Sequence, residues 1–328
     1  MRFLVHRLGF FALTLWAAIT VNFFIPRLMP GDPASAMMAR FHGRLNPAAI
    51  HAMEIAFGVD THSSLWSQYV GYLHNTVTGN FGTSLTYFPL SVGSQIASAA
   101  PWTLGLIGVV TVLAFLFGTL IGTLSGWRRG GKVDSIVPPL FVVTSALPYF
   151  WVGMMLILFF SVWTNGALPN DGAYDINLTP SFTVPFMVDV LRHATLPALT
   201  ILITAVGGWI LTMRNNMVTV LAEDYVRMGR AKGLSNQRIM YQYAARNALL
   251  PNLAGFAMSL GFVVAGAILV EYVFNYPGLG YMLLNAVNNL DYPLMQALFL
   301  MITVAVLVAV LICDFLTMWL DPRARSAS

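Results

Sequence analysis

Charge is the scarcest property of this sequence. Only 9% of its 328 residues are Asp, Glu, Lys or Arg, against roughly a quarter in ordinary soluble domains. The net charge of +4 is too small to mark a nucleic-acid-binding surface. Cys313 is the single cysteine, so no intrachain disulfide can form and the redox compartment is not encoded. Neither H-E-x-x-H nor G-x-S-x-G occurs. His6, His42, His51, His62, His74 and His193 lack ligand-like spacing, and lone loop histidines are ordinarily solvated, so no metal site is expected. No repeat or sustained heptad run is present. What abounds is apolar: 57% of residues are hydrophobic, and the mean hydropathy is +0.71. Even a 300-residue soluble domain buries only about three-quarters of the surface its unfolded chain exposes. A soluble enzyme, a disordered chain and a disulfide scaffold are therefore excluded.

The apolar residues fall into runs. A helix needs about 20 of them to cross a hydrocarbon core of about 30 Å. Six runs are candidates: Leu8–Ile25, Thr103–Gly126, Pro138–Trp163, Leu196–Met213, Pro251–Val270 and Leu294–Cys313, and none contains an acidic or basic residue. The first is longer than a signal-peptide core, and Pro30 and Asp32 precede the small triplet Ala34-Ser35-Ala36, so it reads as a retained helix. With the N-terminus inside, 13 of the 17 basic residues fall in inner loops and four (Arg27, Arg40, Arg44, Arg192) in outer ones. The positive-inside rule then places both ends in the cytoplasm.

Two polar stretches exceed simple connectors. After the first helix (1–26), an outer segment (27–101) carries two helical patterns. Asn46-Pro47 reads as a helix start, with Ile50, Met53 and Phe57 at helical spacing and Gly58 as the stop. Leu65, Tyr69, Tyr72, Leu73 and Val77 then share one face, ended by Gly79. These amphipathic helices lie on the membrane or a partner, or cap their own bundle. The rest is a five-helix core (102–320) interrupted by an inner loop (214–250), with a short tail (321–328). Within the loop, Gly233 breaks one helix and Ser235 can cap the next. The apolar set Leu234, Ile239, Met240 and Tyr243 on a short inner helix argues for docking against another protein. Gly118, Gly122 and Gly126 form a small-residue stripe that lets a second helix approach closely.

Chemistry is otherwise sparse. Gly126–Lys132 matches G-x-x-x-x-G-K, but Val133 stands where a P-loop needs Ser or Thr, and an apolar helix rather than a strand precedes it. A basic hairpin explains it, and any ATP hydrolysis belongs to another chain. Glu271 and Asp314 lie at span ends, where an acid is either functional or hydrated and partnered. After Glu271, the segment Phe274-Asn275-Tyr276-Pro277-Gly278-Leu279-Gly280 forbids continued helix, so the chain turns back at the outer mouth.

Ordered along the chain, these residues resemble a known family. Pro30-Gly31-Asp32-Pro33, Phe57-Gly58-Val59-Asp60 and Gly79-Asn80-Phe81-Gly82-Thr83-Ser84 come first. Asp224-Tyr225-Val226-Arg227, Arg230-Ala231-Lys232-Gly233-Leu234 and Arg246-Asn247-Ala248-Leu249-Leu250-Pro251 follow. Glu271-Tyr272-Val273-Phe274, Pro277-Gly278-Leu279-Gly280, Asp291-Tyr292-Pro293 and Asp321-Pro322-Arg323 complete the set. The pattern resembles the inner-membrane permease subunits of bacterial ABC importers of the dipeptide/oligopeptide/nickel type. His62, Asn80, Arg227, Met228, Arg246 and Cys313 depart from the usual pattern.

The resemblance implies an all-α integral membrane protein with six transmembrane helices, the type I ABC importer permease fold and an extracytoplasmic helical segment. It implies a non-catalytic subunit with no cofactor of its own, ATP and Mg²⁺ being held by partner chains. The expected partners are a second homologous permease, two ATP-binding subunits, an extracytoplasmic substrate-binding protein and the lipid of a bacterial inner membrane. By the resemblance, Arg230, Ala231, Lys232, Gly233, Leu234, Ser235, Arg238, Ile239 and Tyr243 form the ATPase-docking coupling helix. Glu271, Phe274, Tyr276, Pro277, Gly278 and Gly280 are expected to rim the translocation pathway at its outer mouth. Peptide is the family's commonest cargo; cello- or chito-type oligosaccharide and nickel are the alternatives. An ion-coupled secondary transporter would instead want buried coupling acids at mid-membrane, and an intramembrane enzyme a nucleophile–base pair.

Overall fold

The computed structural model describes residues 2–29, 64–263 and 267–320, with side chains over 7–29, 64–263 and 267–315. The expected helix at Asn46–Gly58, the motifs at Pro30–Pro33 and Phe57–Asp60, and the 321–328 tail lie outside the described residues. No strand occurs among the described residues; an isolated bridge joins Thr83 and Ser91. The helices are α1 (Arg2–Leu28), α2 (Leu65–Thr78), α3 (Val92–Thr103), α4 (Val109–Trp127), α5 (Lys132–Ala146), α6 (Tyr149–Ile157) and α7 (Val184–Val220). They continue as α8 (Asp224–Ala231), α9 (Asn236–Arg238), α10 (Arg246–Phe262), α11 (Ile268–Val273), α12 (Leu279–Asn288) and α13 (Tyr292–Leu320). Wide π-helical turns at Leu104–Gly108, Leu158–Val162 and Ile239–Ala245 prolong neighbouring helices.

Among the described residues, four helical runs are long and apolar enough to cross a membrane: Arg7–Leu28, Val92–Trp127, Val184–Val220 and Tyr292–Phe315. The run Pro138–Trp163 is not one rod. It divides at Leu147-Pro148 into Lys132–Ala146 and Tyr149–Val162, bent by 95°, and counting the bent pair gives five spans. The cause is Pro148, which cannot donate to the preceding turn and pushes Leu147 to an extended ψ of 137°. The run Pro251–Val270 is divided as well, between α10 and α11, with 264–266 not described. Conversely, the 18-residue run at Leu196–Met213 sits inside the 37-residue α7, about 55 Å long and well beyond a bilayer core.

The chain divides into two compact units. One comprises Met1–Thr103, Val264–Ile268 and Pro277–Val308. Its core joins Val92 and Ala99 of α3, Leu279, Met282, Leu283 and Ala286 of α12, and Leu294, Met295 and Leu298 of α13. Here α2 caps its own unit: the Phe23 ring of α1 lies 5.2 Å from that of Tyr69 and 5.6 Å from that of Tyr72. Ser64 caps the start of α2, and Gly79 ends it at φ 70°. Leu65 and Val77, expected on the same packed face, stay exposed at 61% and 87%, because the contact with α1 is centred on the two tyrosines. Asn22 Nδ2 donates to the Tyr72 hydroxyl (3.1 Å) and the Gln296 carbonyl (2.8 Å), tying α1 to both α2 and α13.

The second unit comprises Leu104–Val263, Leu269–Tyr276 and Ala309–Ser328. Helix α7 is its axis, packed by α4, α5, α6 and α10. The glycine stripe of α4 packs directly against α7. A Cβ on Gly122 would sit 2.6 Å from the Ile210 carbonyl oxygen and 2.8 Å from Met213 Cβ, and one on Gly126 would strike Met217. The stripe is a packing seam, as its spacing predicted. Around it, Phe115 stacks on Phe256 at 4.3 Å and meets Trp209 edge-on at 5.3 Å.

Candidate functional site

The Arg214–Leu250 loop is built by short-range signals. Helix α8 buries Val226 and Gly229, leaving Tyr225, Arg227, Met228 and Arg230 outward. It ends in a turn where the Gly233 amide donates to the Arg230 carbonyl (2.9 Å) and the Leu234 amide to the Gly229 carbonyl (3.3 Å). Gly233 has φ 74°, and no atom lies within 4 Å of where its Cβ would stand. Glycine is needed there for the left-handed backbone and not for room. Ser235 then caps α9, its hydroxyl accepting from the Arg238 amide (3.4 Å). From Asn236 the helix runs through the π-helical turn Ile239–Ala245 into α10, so the loop helix and the fifth apolar run are one element.

The apolar set of this helix divides between inside and outside. Ile239 and Met240 are 1% and 7% exposed; Met240 packs with Met213, Met217, Ala244 and Ala248. Leu234, Ile239 and Tyr243 gather around Gly229, each 3.7–3.9 Å from where its Cβ would be. These side chains hold α8 against the loop helix, so the set expected to face a partner is largely used within the chain. The outward surface is instead polar: Arg230, Ala231, Lys232, Gly233, Ser235, Asn236, Gln237 and Arg238 are exposed, and Arg238 Nε donates to Gln242 Oε1 (3.1 Å). Tyr225 joins the two parts: burial pushes its phenol above the ordinary range, and a hydrogen bond with Asn247 acts in the opposite sense.

Two polar ties anchor the loop, and neither is marked by any local sequence pattern. Arg214 makes a bidentate pair with Asp134, Nη2 to Oδ2 at 2.9 Å and Nε to Oδ1. Asp134 Oδ2 also accepts from the Gly130 amide (2.9 Å), so the basic turn at 128–131 is shaped by a carboxylate and is not a phosphate cradle. Asn216 Nδ2 donates to the Ala248 carbonyl (3.1 Å) and to Asn252 Oδ1 (3.3 Å), joining α7 to α10.

The expected outer-mouth residues lie mostly inside the packing. Glu271, Phe274 and Tyr276 are 0%, 1% and 2% exposed, and Gly278 and Gly280 are buried with them; Pro277 is half-buried. Glu271 is neither hydrated nor a free rim. Helix α11 ends at Val273, before the Pro-Gly pair, and the turn after it holds Asn275 at a left-handed φ of 44°. Asn275 Nδ2 donates to Asp171 Oδ1 (2.7 Å), the Phe274 carbonyl accepts from the Gly172 amide (3.0 Å), and the Phe274 ring lies against Gly153. Gly278 opens α12, and Gly280 continues that helix. Pro is favoured at a helix start and is also common just past a stop, so composition alone could not give the sense of the turn. The exposed members of this stretch are Tyr272 and Asn275.

Two further buried polar clusters were not legible as sites. Asp291, 0% exposed, accepts from the Ser84 hydroxyl, the Thr86 amide (2.7 Å) and the Leu294 amide (3.2 Å). It thereby brings two of the quoted motifs, Gly79–Ser84 and Asp291–Pro293, into contact across 207 residues. His193 is buried rather than solvated, since it stands on α7 with Nδ1 at 2.9 Å from the Asp189 carbonyl oxygen. No group of three potential metal ligands occurs among the described residues.

Residues 118–326 match the family described as binding-protein-dependent transport system inner membrane component. The chain is 34% identical over 337 aligned positions to the di/tripeptide transport system permease protein DppB of Pseudomonas aeruginosa, covering 98% of each. It is 29% identical to the dipeptide transport system permease protein DppB of Lactococcus lactis, over 99% of each. It is 32% identical to the oligopeptide transport system permease protein AppB of Bacillus subtilis, over 92% of each.

Proposed function

The chain belongs to the family of binding-protein-dependent transport system inner membrane components, and we propose that it is the peptide-conducting permease subunit of an ATP-driven importer. The observation that carries this is end-to-end similarity, 34% identity over 98% of both chains, to a protein named for di- and tripeptide transport. A match of that extent includes every apolar run and the loop, not a shared span alone. The oligosaccharide and nickel readings have no comparable support among these relatives.

In this reading the chain crosses the membrane six times with both ends in the cytoplasm. Residues 27–101 stand outside, 102–320 form the core, and 214–250 is its cytoplasmic loop. It pairs with a second permease, receives peptide from an extracytoplasmic binding protein and rests on two ATPase subunits; catalysis and Mg²⁺ stay in those subunits. The exposed turn Arg230–Ser235 with Arg238 is the docking surface. Ile239 and Tyr243 hold that turn in place from within. ATP-driven closure pushes on the turn, and the unbroken helix from Asn236 to Phe262 carries the displacement into the spans. Phe274, Tyr276, Gly278 and Gly280 shape the outer end by packing, leaving Tyr272 and Asn275 to face the pathway or the binding protein. Co-purification with a Walker-type ATPase, and dipeptide uptake that requires ATP and the binding protein, test the reading. Uptake driven by an ion gradient without an ATPase would overturn it.

A further inference from the structure

A cleft of about 540 Å³ opens in the second unit, lined by Thr119 and Leu120 of α4 and by Tyr241, Arg246 and Leu249 of the stretch that leads into α10. Its walls are mainly apolar, yet two polar groups on it are unspent. Thr119 Oγ1 is buried with no hydrogen-bond partner. The exposed Arg246 guanidinium makes no hydrogen bond or ion pair among the described residues, whereas Arg214 is paired with Asp134. A cation and a hydroxyl on one apolar cleft suit an anionic head attached to a hydrocarbon tail.

A track for that tail leads out of the cleft. Val109, Leu113, Leu116 and Leu120 are 57%, 36%, 48% and 56% exposed. Their spacing of four, three and four puts them on one stripe of α4. From Leu120 back to Val109 the helix rises about 16 Å, close to the roughly 15 Å depth of one leaflet's hydrocarbon. At its other end α4 runs into the turn with Arg128, Arg129 and Lys132, whose charge attracts the anionic surface of a cytoplasmic leaflet. A short zwitterionic peptide could use Arg246 but would have no use for an 11-residue apolar track.

We propose that the cleft between α4 and the Tyr241–Leu249 stretch binds an anionic phospholipid of the inner leaflet, its phosphate on Arg246 and the Thr119 hydroxyl and one acyl chain along Leu120, Leu116, Leu113 and Val109. The site places a lipid against the helix that links the Gly233 turn to the spans, so the lipid biases the packing of the coupling element. The inference rests on the inward orientation of the Arg214–Leu250 loop proposed above.

The test uses the assembled transporter in nanodiscs of phosphatidylcholine with or without phosphatidylglycerol. A photoreactive phosphatidylglycerol should label peptides containing Thr119, Leu120 or Tyr241 in preference to a photoreactive phosphatidylcholine. Arg246→Gln should lower that labelling about fivefold, the loss of one phosphate-paired cation near the surface, while Arg246→Lys should keep most of it. Thr119→Val should lower it without affecting assembly. Equal labelling by the two lipids, or labelling that Arg246→Gln leaves unchanged, overturns the proposal. So does a benzophenone side chain at Leu120 that cross-links to the second permease or to transported peptide instead of lipid. Loop orientation is checked separately by cysteine accessibility at Ser235, so a wrong topology is distinguishable from a wrong ligand.

Discussion

Gly233 shows how one backbone angle sets a turn. Its φ of 74° lies where a Cβ costs about 1–2 kcal/mol, more for a β-branched side chain. Because the space around it is open, Gly233→Asn should keep transport, whereas Gly233→Val should insert normally and lose ATPase association or coupled uptake. Wild-type uptake by the valine variant would remove the turn from the docking surface. Asp134 and Arg214 present the opposite case, where charge and not backbone is at stake. Asp134 is only 8% exposed, so Asp134→Asn leaves the Arg214 guanidinium without its bidentate partner. Breaking a buried pair from one side costs about 3–5 kcal/mol, reduced here because the Arg214 side chain is 26% exposed. Thermal unfolding in detergent should fall by several degrees, and a double-mutant cycle with Arg214→Gln should recover part of the loss. In the exposed 164–183 stretch, the Asn177 amide and side chain both donate to Asp175 and hold its carboxyl below the usual aspartate range. A depressed folded-state pKa stabilises above the unfolded value and is lost on acidification through the folded one. Protection of the Asn177 amide, taken relative to its intrinsic exchange rate at each pH, should therefore persist at pH 5 and be lost only below the ordinary aspartate range.

At the scale of elements, glycines decide which helices meet. Gly207 and Gly208 are neighbours on α7 with opposite surroundings. A Cβ on Gly207 would strike the Phe141 carbonyl oxygen and the Ser145 hydroxyl of α5, whereas one on Gly208 meets nothing within 4 Å. Gly207→Ala should separate α5 from α7 and lower the yield of folded protein; Gly208→Ala should be silent or slightly stabilising, since alanine favours helix. Equal behaviour of the two variants, judged by size-exclusion profile and protease resistance, would count against the packing described. A similar contrast applies to Asp291, which fastens the turn before α3 to the start of α13. Ser84→Ala removes one of its donors and should cost about 1–3 kcal/mol, read as a lower melting temperature with unaltered membrane insertion.

For the whole molecule, the testable property is sidedness. In a Cys313→Ser background, Asp175→Cys should react with an impermeant maleimide on intact cells, and Ser235→Cys should react only after the membrane is opened. The basis is the 13-to-4 distribution of basic residues. Strong labelling of Ser235→Cys from outside would invert the arrangement. The many apolar side chains left exposed on single helices, such as Phe10, Leu13 and Trp16 of α1 at 72%, 58% and 57%, suit a lipid surrounding.

By itself the sequence determined whatever depends on local chemistry or on spacing along the chain. Hydropathy marked the apolar runs; Gly79 and Gly233 marked ends and Ser235 a start, because a cap or a positive φ is a property of a few consecutive residues. The α4 stripe was legible because three glycines at a spacing of four can face only one way. Only the tertiary structure decided which apolar and polar residues are consumed internally. Ile239 and Met240 read as a docking face and turned out to be core; Glu271 and Tyr276 read as a rim and turned out to be buried. Asp134 with Arg214, 80 residues apart, and Ser84 with Asp291, 207 apart, left no local trace. A side chain's burial is set by the neighbour that covers it, and that neighbour is chosen by packing between distant segments, which no local pattern records.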